Sequence, residues 1–173
     1  MNKKWVYIIL VCSLIFNFGI TYYSISLKKE YEQTSNTYIQ LSNDYINRIN
    51  VTKSFLNNVL QNRTTINKED LFNATASAHI ASTLSSFFDT TAIKTYNTDS
   101  HLSTVTSNIT VKINNFNINV LNNKTITQED WDNLENAYKH LEILSKVLNS
   151  DAFSDKEKAI QMLKSIPYDQ FSN

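Results

Sequence analysis

Three histidines, two pairs of adjacent acids and a row of tyrosines are the side chains in this sequence with chemistry to offer. His79, His101 and His140 lie far apart, and none stands in the E-x-x-H or H-E-x-x-H setting by which a helix delivers metal ligands from one face. His79 and His140 fall on helices that can be neighbours, the one geometric opening for a metal site; surface or capping roles account for them without it. Glu69-Asp70 and Glu129-Asp130 offer the paired carboxylates of general acid-base work. Each pair also stands where a helix begins, and acids there are stabilised by the helix dipole. Ser and Thr are plentiful, but nothing places a base beside one, so no nucleophile is assigned. Tyr31, Tyr38 and Tyr45, spaced by seven, form either a partner-facing stripe, since aromatic anchors dominate interfaces, or part of a core. No residue is assigned a catalytic, cofactor-binding or metal-ligating role. The expectation is a protein that is not an enzyme and takes no cofactor.

Absences sharpen this. The only glycine is Gly19 and the only proline is Pro167. Tight hairpins, bulges and phosphate-cradling loops lean on glycine's access to positive φ, so the P-loop, the dinucleotide fingerprint and the nucleophile elbow are all excluded. A body without glycine is most simply built from helices joined by Asn, Ser, Thr and Asp turns. Cys12 is the only cysteine, which leaves no intrachain disulfide and no thiol chemistry in the body. Val11 before it lacks the small side chain a lipidation site needs.

The elements that must position these residues begin with Trp5 to Leu27, 23 residues without a charged side chain. A membrane-spanning helix needs roughly 20 apolar residues. Lys3 and Lys4 precede the stretch, Lys28 and Lys29 follow it, and Trp5, Tyr7, Tyr22 and Tyr23 lie near its ends, where amphipathic rings favour the headgroup layer. Residues 1–4 are then a short tail, 5–27 a transmembrane anchor and 28–173 the body. The short leading tail favours a cytoplasmic N-terminus and an extracytoplasmic body; the reverse orientation, or secretion after cleavage near Ser24-Ile25-Ser26, are the alternatives. Removing Lys3 and Lys4 from 16 basic against 16 acidic residues leaves the rest slightly acidic, with no basic field to recruit nucleic acid.

In the body, Tyr31, Tyr38, Tyr45, Thr52 and Val59 recur every seven residues, with Leu41, Ile49, Phe55, Leu56 and Leu60 between them: an amphipathic helix from Lys28 to Asn62. Its stripe suits either packing within the chain or a coiled-coil seam, although Thr34, Arg48 and Asn62 at companion positions weaken the seam. Asn67 then caps a helix over 68–88 that presents Leu71, Ala74, Ala78, Ala81, Leu84 and Phe88, with Ile66 and Leu71 as a hydrophobic staple. Asp89 to Ser100 reads as a connector. Residues 102–121 fit a helix through Leu102, Val105, Ile109, Ile113, Phe116 and Val120, or a hairpin through Ile109, Val111, Ile113 and Phe116, Ile118, Val120.

An internal repeat tips that choice to helix. Val59 to Asp70 recurs, one residue shorter, as Val120 to Asp130, with Thr127 capping as Asn67 does and Ile126-Trp131 repeating the staple. Two related units, about 36–88 and 101–149, follow. A helix over 128–149 buries Trp131, Leu134, Tyr138, Leu141, Leu144, Val147 and Leu148 and pairs Glu135 with Lys139 and Glu142 with Lys146. Ser154 to Glu157 reads as a capping box opening a short helix over 155–165 that Pro167 ends.

The fold class expected is all-α: a transmembrane helix, then an antiparallel bundle of two helical hairpins with a short C-terminal helix across one end. Five N-x-T triplets, at Asn50, Asn62, Asn73, Asn108 and Asn123, matter only in a eukaryotic secretory route, and the Lys-, Asn- and Ile-heavy composition favours an AT-rich bacterial source. The function expected is a single-pass membrane protein of a bacterial cell envelope. It contacts the lipid bilayer and binds another envelope protein or itself, as an accessory or structural module. The rival expectation is a ligand sensor, because an anchor followed by four extracytoplasmic helices resembles the ligand-binding part of bacterial chemoreceptors. That resemblance is one of layout only; such receptors return through a second span to an output domain, and these 173 residues contain neither.

Overall fold

With one glycine and one proline in the chain, little interrupts helix once it has started, and the elements are long. In a computed structural model they are α1 (Lys3–Gln61), α2 (Lys68–Tyr96), α3 (Leu102–Leu121), α4 (Gln128–Val147) and α5 (Lys156–Lys164), with 3-10 turns at Ser150–Ser154 and Tyr168–Phe171. The structure describes the backbone of residues 3–96 and 98–171, and the side chains of 20–171 other than 30, 31, 33–35, 91, 93–97, 150 and 154. No strand occurs among the described residues. The chain divides into two units, Met1–Thr37 and Tyr38–Asn173.

In the first unit α1 is helical throughout the expected anchor, and the side chains from Ile20 to Lys29 are exposed. Among the described residues no helix is long and apolar enough to cross a membrane. Residues 5–19 of the expected span, Cys12 included, lie outside those whose side chains are described.

The second unit is the helical bundle. α2 packs on α3 and α3 on α4, while α1 is tied to each by a hydrogen bond: the Ser77 hydroxyl donates to the Arg48 carbonyl at 3.3 Å, the Tyr45 and Thr106 hydroxyls are hydrogen-bonded at 2.8 Å, and Lys53 donates to Ser145 at 2.8 Å. The heptad stripe faces inward, with Tyr38, Tyr45, Ile49, Thr52, Leu56 and Val59 fully buried. They meet Leu71, Ala74, Ala78 and Ala81 of α2, whose small side chains let backbones approach closely enough for Thr110 of α3 to bond the Ala78 carbonyl at 3.1 Å. Each large apolar side chain taken fully out of water contributes roughly 1.5–3 kcal/mol.

Residues 102–121 are one helix, and burial shows why. Leu102, Val105, Ile109, Ile113, Phe116 and Val120 are buried, whereas Val111 and Ile118, which a hairpin would have turned inward, are exposed. Three boundaries differ from expectation. α2 runs to Tyr96 rather than stopping at Phe88, because Asp89 and Ala92 continue its buried face and no helix breaker intervenes. α4 ends at Val147, two residues short of Asn149, with Leu148 already extended. α5 is capped by Asp155, whose carboxylate accepts from Glu157 N–H at 2.9 Å and Lys158 N–H at 3.1 Å, so Ser154 belongs to the preceding 3-10 turn.

The segment after α4 closes the end of the bundle opposite the two short turns. Phe153 packs edge-on against Tyr38 and Phe88, at centroid distances of 5.4 and 4.8 Å, and Tyr38 and Phe88 are themselves 4.9 Å apart. Leu163, Ile166 and Phe171 are buried in the same core.

Candidate functional site

Both acid pairs, Tyr38, Tyr45 and His140 are used to build the bundle. Asn67 Oδ1 accepts from Glu69 N–H at 3.0 Å and Asp70 N–H at 3.3 Å, and Thr127 with Asp130 forms a reciprocal capping box. Hydrogen bonds from the Thr127 backbone and hydroxyl, then from Asn119, hold the Asp130 carboxyl below its ordinary range. Both acid pairs are therefore first-turn residues of α2 and α4. Glu142 pairs with Lys146 at 3.2 Å as expected, but Glu135 takes Arg63 from the first turn, and the Arg63 guanidinium lies 5.2 Å over the Trp131 ring.

The tyrosines divide. Tyr38 and Tyr45 are core residues with no exposed surface, which removes them from any partner-facing stripe, and the side chain of Tyr31 lies outside the described residues. Burial pushes the Tyr45 hydroxyl far above the usual phenol range, against the opposing effect of its bond to Thr106.

The histidines do not meet. His79 is exposed on α2, and His101 is exposed and edge-on to Tyr168. His140, which its sequence context placed at a surface or cap, is buried at 4% exposure, packs edge-on to Phe171 and bonds the backbone of Gln170. Desolvation, followed by the charge of Lys112, lowers its pKa. Lys112 is itself lowered by desolvation and donates to Asn136 at 2.6 Å. Among the described residues no three His, Cys, Asp or Glu side chains group closely enough to hold a metal ion.

Sequence reasoning missed Asp89. Assigned to a connector, it is buried on α2 and accepts from Leu102 N–H at 3.2 Å and Ser103 N–H at 2.8 Å, capping α3 from another helix. His101, at the N-cap position, makes no side-chain cap. The available signal was the lack of any Ser, Thr, Asp or Asn immediately before Leu102.

Two surfaces remain. At one end the turns over 62–67 and 122–127 lie side by side and line a shallow cleft of about 400 Å³ with Arg63, Lys68, Asn123, Lys124, Ile66 and Ile126. Along the side, the outward face of α2 exposes Phe72 (64%), Ile80 (43%) and Phe87 (58%), and α3 beside it exposes Val111 and Ile118. No charged residue occurs between Leu71 and Phe88, and the one charge in α3, Lys112, is turned toward Asn136 of α4. By contrast α4 carries Glu129, Asp132, Glu135, Lys139, Glu142 and Lys146. Interface cores are depleted in charge and enriched in aromatics, which is the pattern of the α2–α3 side. Compared with known proteins, the chain matches no family model, no curated protein and no solved structure.

Proposed function

We propose that this protein is a single-pass membrane component of a bacterial cell envelope whose helical body works by binding protein and performs no catalysis, with the α2–α3 side as its binding surface. The observation that carries the reading is the exposed, charge-free α2 face with its two phenylalanines, set against a strongly charged α4. Aromatic side chains left more than half exposed on such a face are what a binding partner covers. Support for the anchor comes from the uncharged stretch 5–27, flanked by lysines and tyrosines. The body is then extracytoplasmic and the N-terminus cytoplasmic.

Cross-linking in native membranes tests the binding surface. The wild-type chain should yield adducts that Phe72→Glu/Phe87→Glu abolishes while the far-ultraviolet spectrum and melting temperature of that variant stay unchanged. Adducts indifferent to the substitutions would move the surface elsewhere. Thermal stabilisation by a small molecule would instead favour the sensor. A C-terminal alkaline-phosphatase fusion should be active, and extraction of the chain by alkaline carbonate alone would remove the anchor.

A further inference from the structure

The Tyr168–Phe171 turn is fastened to the bundle through two histidines. Phe171, itself buried, stands edge-on to the His140 ring at 5.0 Å, and the Gln170 carbonyl accepts a hydrogen bond from that same ring. Tyr168 stands edge-on to the His101 ring at 5.5 Å, and its hydroxyl accepts from the His101 backbone N–H at 3.3 Å. The turn's own backbone bonds stay within the segment: Tyr168 N–H donates to the Ile166 carbonyl at 2.9 Å and Gln170 N–H to that of Pro167 at 3.0 Å. α5 has already ended at Lys164, with Ser165 as its C-cap, so the chain from Pro167 onward can lift without breaking a helix.

We propose that this turn is an acid-released latch: protonation of the buried His140 frees residues 167–171 from the bundle while the four long helices stay packed. A neutral imidazole has one N–H, and here the Gln170 carbonyl takes it. A second proton brings a charge and a further N–H into a site walled by Phe171, where burial disfavours both. The charge that acts on the ring is that of Lys112 on α3, and it has the wrong sign to help. The other charged groups on the elements around it are committed or wet. On α4, Glu135 goes to Arg63, Glu142 goes to Lys146, and Lys139 is exposed; Lys53 of α1 goes to Ser145. Asp169 of the turn is exposed, as are Lys156, Glu157, Lys158 and Lys164 of α5, while the titratable Tyr168 faces His101. An imidazolium at 140 can reach water by unfolding of the whole bundle or by departure of a four-residue turn. The second route gives up the Phe171 and Tyr168 contacts and leaves the common core covered, so it is the cheaper opening.

The pH window follows from linkage. Latched, His140 titrates below its ordinary 6.5; released into water, it returns toward that value. The open fraction is therefore flat well above pH 6.5 and grows as pH falls through it, by up to about tenfold at pH 5.5.

Chymotryptic cleavage after Tyr168 tests this in the full-length chain in mild detergent. Rates are divided by those of a free peptide of sequence 164–171, which removes the enzyme's own pH dependence. Cleavage should quicken by up to about tenfold from pH 7.5 to 5.5, be unmoved by about 1 M urea, and outpace cleavage after half-buried Trp131, which needs α4 to unfold. His140→Gln should remove the pH response and His101→Gln should keep it. Coupling between two events is reciprocal, so Phe171→Ala, which undoes the latch, should bring the His140 pKa, followed by exchange of its ring C2 proton, up toward 6.5. Cleavage after Tyr168 that is no faster than after Trp131 would show that the turn leaves only with the whole bundle, and would overturn the proposal. So would a rate indifferent to pH, or a pH response that survives His140→Gln. If His140→Gln fails to fold, the Phe171→Ala arm decides: a raised His140 pKa sustains the latch, and an unchanged one defeats it.

Discussion

Replacing Asp89 with alanine removes the acceptor that two backbone N–H groups at the start of α3 share, inside the bundle rather than at its surface. Loss of a helix cap costs about 1 kcal/mol when water can take its place and up to about 2 when it cannot. The expected loss for Asp89→Ala lies at the upper end, with Thr127→Ala near 1 kcal/mol, since the Thr127 box is exposed. Urea denaturation of both variants checks the order, and an Asp89→Ala cost no greater than that of Thr127→Ala would refute it. His140 sets a pH dependence. Its folded pKa is lowered, so above the ordinary value of 6.5 both states are neutral, and below it the unfolded chain takes a proton that the folded chain resists. Stability should fall as pH drops from 7.5 to 5.5, and His140→Gln should flatten the change. An unchanged slope in that variant would assign the effect elsewhere.

At the scale of elements, α3 poses the clearest test. In a hairpin Ile109, Val111 and Ile113 would share one face, whereas in the helix Ile113 is buried and Val111 is more than half exposed. Ile113→Asp should abolish folding, while Val111→Asp should change stability by no more than about 0.5 kcal/mol. Equal effects by circular dichroism melting would contradict the helix. Much of this level was legible in the chain itself. The stripes of α1, α2 and α3 are regular because each faces one common core, and regular burial leaves a regular spacing. Cap chemistry at Asn67 and Thr127 was legible because it is local, three residues reaching one another through a single turn. The end of α2, the burial of His140 and the Arg63–Glu135 pair were not, because each depends on contacts more than a dozen residues away. The inward face of α2 was legible through Leu71, Ala74, Ala78, Ala81 and Phe88, and Phe72 and Phe87, which that stripe leaves out, are exposed as it implies.

Taken whole, the bundle is closed at one end by two short turns and at the other by chain that comes after it in sequence. Phe153 is fully buried among Tyr38 and Phe88, a cluster drawn from α1, α2 and the 3-10 turn. Phe153→Ala should cost about 3–5 kcal/mol, as cavity-forming aromatic truncations do. Deleting residues from 149 onward should leave a helical but loosely packed species that binds hydrophobic dyes and melts without a sharp transition. A sharp transition in the truncated chain would show that the four long helices suffice. Closure by a late segment also sets a schedule for synthesis. Until Phe153 has joined them, Tyr38 and Phe88 lack the ring that seals their cluster, so the last step of packing waits on chain that follows α4.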